Sequence, residues 1–231
     1  MINILFTILL IRRNYWGGVS MKVVSITTND RVKSHAQVTL EGGTQFCLPL
    51  KRLSILNITE GGYIDDSRIQ YIIDYEVYAA AKADAVKYIA TKMRTCYEVE
   101  QRLFQLGYAE DCISRVIDDL IEINYLDDLK YANCFISDRN KLKPTSSRLM
   151  RMELKHRGIE DSIIDIAMSG QEQQDENVAY TLLKKKYSKY TDFDDKLILK
   201  MKNFLAARGF EYSQIASAVE KLIECKTSTE D

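Results

Sequence analysis

Two kinds of charged residue sit at spacings that could do chemistry. Acidic pairs occur at Asp65-Asp66, Asp118-Asp119, Asp127-Asp128 and Asp194-Asp195. Adjacent carboxylates can hold Mg²⁺ for phosphodiester cleavage. The last two pairs also stand where helices should begin, and there a carboxylate caps free N–H groups and meets the positive end of the dipole. That helix-start role is the preferred reading. Positive charge is segregated. Lys141 to Glu160 carries six basic and two acidic residues, and Lys184 to Arg208 carries eight and three. Glu110 to Asp128 is the reverse, with seven acidic residues and one basic. Arg148, Arg151 and Lys155 recur at three and four, along one helical face, with Arg157 just beyond. Lys185 and Lys189 share that spacing beside Lys184 and Lys186, interleaved with Tyr187 and Tyr190. These clusters read either as phosphate-binding faces or as ordinary solvated helix faces.

Other chemistry is poorly supplied. The two histidines, His35 and His156, are far apart, which argues against a His-based metal site or a Ser/His/Asp triad. The five cysteines (Cys47, Cys96, Cys112, Cys134, Cys225) are scattered without a Cys-x-x-Cys pair. They read as free thiols in a reducing cytosol rather than a disulfide framework or zinc ribbon. Gly17-Gly18, Gly42-Gly43 and Gly61-Gly62 lack the spacing of a phosphate loop or dinucleotide fingerprint. The 231 residues are 46% hydrophobic, enough for a core, and a net charge of −1 excludes a wholesale basic DNA coat. Two prolines and 28% charged residues exclude Pro-rich and generally disordered classes and favour a mainly helical chain.

Residues 2–11 read INILFTILLI, half the length of a membrane span of about twenty residues. Arg12 and Arg13 follow the run, and no Ala-x-Ala cleavage site comes next, so it is a poor signal peptide. Trp16-Gly17-Gly18 requires G-rich codons shortly upstream of Met21, as in a bacterial ribosome-binding site. The preferred expectation is that residues 1–20 are a translated leader and Met21 the true start. A short membrane anchor is the alternative.

The elements that must position the charged residues come next. Lys22 to Thr28, Ala36 to Leu40 and Thr44 to Leu48 are β-branched and partly alternating, and Gly42-Gly43 joins the last two as a hairpin. This predicts a small unit of two or three strands, packed on a helix, with a short helix from Leu50 to Leu56, over residues 21–62. From Asp65 the period changes to helical, with a first face of Ile69, Ile72, Ile73, Val77 and Ala80 running on to Ala85, Ile89 and Met93. Then a repeat emerges. Leu103-x-x-x-Gly107-Tyr108, Leu154-x-x-x-Gly158-Ile159 and Leu205-x-x-x-Gly209-Phe210 place their glycines 51 residues apart in both steps. An apolar stripe opens six residues after each glycine, at Ile113, Ile164 and Ile215, and an Ala-led segment precedes each at Ala85, Ala132 and Ala179. Glycine just past a helix supplies the left-handed residue that closes it. Thr95-x-x-Glu98 reads as a capping box, Thr191-x-x-Asp194 as a weaker one, Pro144-Thr145-Ser146 as a helix start and Ser213 as the last cap. The expected fold is mainly α: a linking helix and first three-helix repeat over residues 63–125, a second repeat over 126–170, a third over 171–226 and a tail at 227–231, in an elongated curved array after a β-hairpin unit.

Three stretches carry a family resemblance: Tyr125-Leu126-Asp127-Asp128-x-x-Tyr131-Ala132, Glu153-Leu154-x-x-x-Gly158-Ile159, and Phe204-Leu205-x-x-Arg208-Gly209-Phe210. With the order of elements they resemble the bacterial RecX family, regulators of the RecA recombinase, over roughly Lys22 to Lys226. Lys143-Pro144 departs from the family's frequent Gly-Pro, which affects the local turn. The resemblance implies a non-enzymatic cytoplasmic protein without cofactor, metal or membrane partner, and a monomer. It also implies binding along RecA filaments on single-stranded DNA, with inhibition of ATP hydrolysis, strand exchange and repressor self-cleavage. Arg148, Arg151, Lys155, Arg157, Lys184, Lys185, Lys186 and Lys189 are the expected DNA or filament contacts, on charge alone. Two rival classes stay open: a helical regulator binding duplex DNA directly, since a three-helix repeat is close to helix-turn-helix in outline, and a nuclease built on the acidic pairs.

Overall fold

A computed structural model describes residues 20–29, 32–190 and 192–227. The expected leader lies outside the described residues except for Ser20, which opens the first strand. The chain divides into two compact units: one reaches Lys92 and takes in Val99–Tyr125, and the other comprises Met93–Glu98 and the chain from Leu126 onward.

In the first unit, β1 (Ser20–Asn29), β2 (Val32–Leu40), β3 (Gln45–Pro49) and β4 (Tyr63–Asp65) form an antiparallel sheet in the order β3-β2-β1-β4. The hairpin expected at Gly42-Gly43 is present, both glycines having φ near +90°. The expectation of two or three strands falls one short, because β4 is only three residues long and pairs with β1 alone, through Ser20, Met21 and Lys22. Three residues are too few to show an alternating pattern. Helix α1 (Leu50–Ile55) follows β3. Asp65 then caps α2 (Asp66–Tyr71), its carboxylate accepting from Arg68 N–H at 2.9 Å. The expected long helix is continuous but widens to a π-helix at Ile72–Val77 before α3 (Tyr78–Ile89). The wide turn shifts the buried stripe to Ile72, Val77, Ala81 and Ala85, leaving Ile89 half-buried and Met93 exposed. Within the π-turn Glu76 is buried, and Arg52 Nε and Nη2 both donate to its Oε2. Strand β3 lies against this turn.

The helices that follow are α4 (Cys96–Leu106), α5 (Glu110–Glu122), α6 (Asp128–Leu142), α7 (Ser147–His156), α8 (Asp161–Ala167), α9 (Asp175–Tyr187), α10 (Asp195–Ala206) and α11 (Tyr212–Thr227). Each repeated glycine ends a middle helix. Gly107, Gly158 and Gly209 have φ of +99°, +76° and +83°. Their N–H groups bond to Phe104, Lys155 and Ala206 carbonyls, and the N–H of the next residue reaches back to Leu103, Leu154 or Leu205. That pair of bonds closes a helix through a left-handed residue. The three leucines are fully buried, as are Tyr108, Ile159 and Phe210 beside the glycines.

These glycines also permit close approach. A methyl at Gly158 would sit inside the Tyr97 side chain, and one at Gly209 would lie 2.7 Å from Leu149 Cβ and Ser146 Oγ. Each turn therefore docks on the first turn of the preceding middle helix. The carbonyl just before each glycine is used there too: Thr95 Oγ1 donates to Arg157 O at 2.8 Å, and Ser146 N donates to Arg208 O at 3.0 Å. A carboxylate from the next repeat completes each junction. Asp128 accepts from Cys96 N–H at 2.9 Å, and buried Asp175 accepts from Ser147 N–H and Oγ–H at 2.9 and 2.7 Å. Both fill the helix-start N–H groups that a helix cannot satisfy itself.

The expected caps divide. Thr95 Oγ1 accepts from Glu98 N–H, but Glu98 does not return its carboxylate to Thr95 N–H, because Arg157 draws it away. Ser146 caps α7 through Leu149 N–H. Asp127 and Asp194 cap α6 and α10 through Lys130 and Leu197 N–H, as expected for helix-start carboxylates. Thr191 lies outside the described residues, and Asp194 is the cap. Ser213 is no cap: α11 begins one residue earlier, and Gln214 Oε1 accepts from Glu211 N–H.

Candidate functional site

The basic residues expected at the site fall on two helix groups that hold charge differently. On α7, Arg148 Nε donates to Gly209 O at 3.2 Å. Arg151 Nη1 meets Asp165 at 2.5 Å, and its Nη2 lies 3.9 Å from Glu172. Lys155 pairs with Asp161 at 2.6 Å. Arg157 donates to Tyr131 Oη at 2.8 Å, lies 3.4 Å from Glu98 Oε1, and stacks over the Tyr131 and Phe135 rings. Arg151, Lys155 and Arg157 are thus tied to carboxylates of the same chain, and the Arg157 set is part of a junction between helices.

The second group surrounds α9 and α10. Lys184 and Lys221 both approach the Tyr180 ring, at 5.9 and 5.0 Å. Lys186 and Arg208 approach the Phe204 ring at 4.0 and 3.8 Å. Cation–π contacts of this kind hold a positive charge in place without neutralising it. Arg208 Nη1 also donates to Phe204 O near the end of α10, where a cation suits the helix dipole. Lys185 and Lys189 are exposed and form no ion pair among the described residues. The expected shared face of Lys185 and Lys189 is not helical. Tyr187 ends α9 as a buried core residue against Phe204, Ser188 is the C-cap, and Lys189 sits in the turn beyond, followed by half-exposed Tyr190. The geometry offers an outward positive surface with aromatic rings, the composition that tracks a polyanion.

Of the acidic pairs, Asp65, Asp127 and Asp194 cap helices and Asp128 serves a junction. Asp119 accepts from Lys82 and Tyr78, and those hydrogen bonds hold its carboxyl below the ordinary range. Among the described residues no group of three or more His, Cys, Asp or Glu side chains could hold a metal ion. Burial pushes the Cys47 and Cys96 thiols up to about 12, with Asp84 and Asp128 respectively adding to the shift, so neither is a thiolate nucleophile near neutral pH. No described helix is long and apolar enough to cross a membrane. The sequence does not announce Asp175 and Asp128 as junction residues, nor Phe204 as the ring beneath Lys186 and Arg208.

Three family models match the chain in order. They describe the first three-helix domain of RecX at residues 81–120, the second at 127–168 and the third at 173–219. The regulatory protein RecX of Clostridium botulinum (strain Alaska E43 / Type E3) is 28% identical over 204 residues, 87% of this chain and 95% of its own length. That of Vibrio campbellii (strain ATCC BAA-1116) is 32% identical over 140 residues, 61% of this chain and 90% of its own. Among solved structures, RecX from Lactobacillus salivarius is 26% identical with a TM-score of 0.55, covering 63% of this chain and 96% of that one. A further crystal structure of regulatory protein RecX shares the fold at 21% identity and a TM-score of 0.51, covering 88% of this chain and 98% of that one.

Proposed function

The chain belongs to the RecX family, and from that premise we propose that it regulates a RecA-type recombinase by binding the filament formed on single-stranded DNA. It acts without catalysis of its own, lowering ATP hydrolysis and, with it, strand exchange and repressor self-cleavage. The observation that carries this reading is the ordered match of three RecX three-helix domains across the helical part of the chain. The surface around Lys184, Lys185, Lys186, Lys189 and Arg208 supports it. Its charges face solvent or aromatic rings, so they remain available to phosphates or to acidic protein surface. Arg148, Arg151 and Lys155 contribute a second, weaker contact.

The test is the single-stranded-DNA-dependent ATPase of the cognate RecA, titrated with the full chain. Inhibition well below one protein per RecA is expected if filaments are capped or dismantled. Inhibition only near saturation assigns simple occupancy of the filament. Folded protein that leaves the ATPase unchanged and instead binds one duplex sequence tightly sinks the proposal.

A further inference from the structure

A cleft of about 250 Å³ opens in the first unit, between β2, α3 and the second half of α4. One wall is a hydrogen-bonded chain. His35, buried at 6% exposure, meets Asp84 Oδ2 through Nε2 at 2.8 Å and Ser34 Oγ through Nδ1 at 2.9 Å. Tyr108 Oη donates to the same Asp84 oxygen at 2.7 Å. The two ring nitrogens of His35 are thus both engaged, Nε2 by the Asp84 carboxylate and Nδ1 by the Ser34 hydroxyl. Burial alone would raise the Asp84 carboxyl, but the bonds from His35 and Tyr108, together with nearby Lys87, hold it below the ordinary range. Asp84 is therefore ionised and engaged inside the wall.

The cleft is also lined by two cations, of which Lys87, one turn along α3 from Asp84, acts on that carboxylate only through space. The other is Arg102 on α4. Neither forms an ion pair or hydrogen bond with any described residue, although Arg102 is half-buried. This contrasts with Arg52, Arg139, Arg151 and Arg157, each of which ends on a carboxylate. The Arg102 guanidinium presents five donors in a fixed fork, none of them taken by a described residue, so the fork is open to a ligand in the cleft. With one carboxylate against two cations, the cleft carries an excess positive charge.

We propose that this cleft is an anion site for one phosphate group, gripped by the Arg102 fork from α4 and the Lys87 ammonium from α3. The volume of about 250 Å³ admits a phosphate or pyrophosphate. The site is separate from the basic surface on α9 and α10 and does not depend on the filament reading. Its phosphate comes either from a free oxyanion or from the end of a nucleic-acid strand.

The experiment is isothermal titration of the full chain with inorganic phosphate and pyrophosphate at constant ionic strength, followed by a thymidine trinucleotide with and without a 5′-phosphate. Saturable binding at one site per chain is expected, weakened about tenfold or more in Arg102→Gln and Lys87→Gln, which remove charge-assisted bonds. Lys200→Gln, on α10, should leave it unchanged. Tighter binding of the phosphorylated trinucleotide than of inorganic phosphate assigns a strand end, and the reverse assigns a free oxyanion. No saturable binding overturns the site, as does equal binding by wild type and both cleft variants, with circular dichroism confirming their folds.

Discussion

In the second repeat Arg151, Lys155 and Arg157 each end on a carboxylate of the same chain. In the third, Lys184, Lys186 and Arg208 lie over rings, and Lys185 and Lys189 meet no described partner. The backbone plan is shared: a glycine turn docks on the preceding middle helix, and an aspartate from the next repeat completes the junction. What differs is the use of positive charge. The second repeat spends it on internal ion pairs, which contribute little stability when exposed. The third keeps it outward. Charge counts along the sequence, six basic against two acidic and eight against three, favour the third only slightly, and the pairing separates them.

The largest expected effect tests the shared plan. Gly158→Ala must relieve both a left-handed backbone and a methyl placed within the Tyr97 side chain. Strain and overpacking together should cost about 2–4 kcal/mol. Gly209→Ala meets Leu149 and Ser146 at a less severe distance and should cost less. Gly170→Ala has the same positive φ but nothing closer than 3.9 Å, so it should cost only about 1 kcal/mol. Urea denaturation of the three variants gives the order. Equal losses at all three positions would show that backbone conformation, and not docking, makes the glycines necessary.

The second effect separates the clusters. Replacing Lys184, Lys185, Lys186 and Lys189 by Ala should weaken filament or single-strand binding about a hundredfold at low salt and flatten its salt dependence by up to about 0.7 per lost phosphate contact. Replacing Arg148, Arg151 and Lys155 by Ala should change binding by no more than about threefold, because most of those charges are already paired. Fluorescence anisotropy across a salt series reads both. A larger loss from the second set would reverse the comparison and make the α7 face the principal contact.

Much of this fold is legible in the sequence because it rests on local rules. The 51-residue spacing, the buried leucine four before each glycine and the caps at Ser146, Asp127 and Asp194 all follow from helix geometry. What was not legible depends on distant partners. Arg157 meets Glu98 from 59 residues away, and Asp175 meets Ser147 from 28. No periodicity announces such pairs. The π-turn at Ile72–Val77 escaped for a related reason. Its buried Glu76 breaks the apolar stripe, and Arg52, which explains that burial, lies on another helix. The candidate site was half legible: the lysines could be read, but not the rings of Phe204 and Tyr180 that hold them.

The smallest effect compares the two junction aspartates. Asp175 is fully engaged by Ser147 N–H and Oγ–H, and Asp175→Ala should cost about 2 kcal/mol by leaving those donors unmet. Asp128 stands differently. Burial raises its carboxyl above the ordinary range, against the pull of Cys96 N–H, with Asp127 and Glu160 adding like charge. An acid whose folded pKa lies above its unfolded one binds its proton more tightly when folded, so folding is favoured as pH falls through the folded pKa. At neutral pH the charged form therefore works against the native state. Asp128→Asn keeps an oxygen for Cys96 N–H and removes the charge. It should be as stable as wild type or slightly more stable at pH 7, by less than about 1 kcal/mol. Its advantage should shrink on acidification towards about pH 4, as the wild-type group takes up its proton. Denaturation at the two pH values measures this. A variant clearly weaker than wild type at pH 7 would show that the Asp128 charge holds the junction, as the Asp175 contacts do in the next repeat.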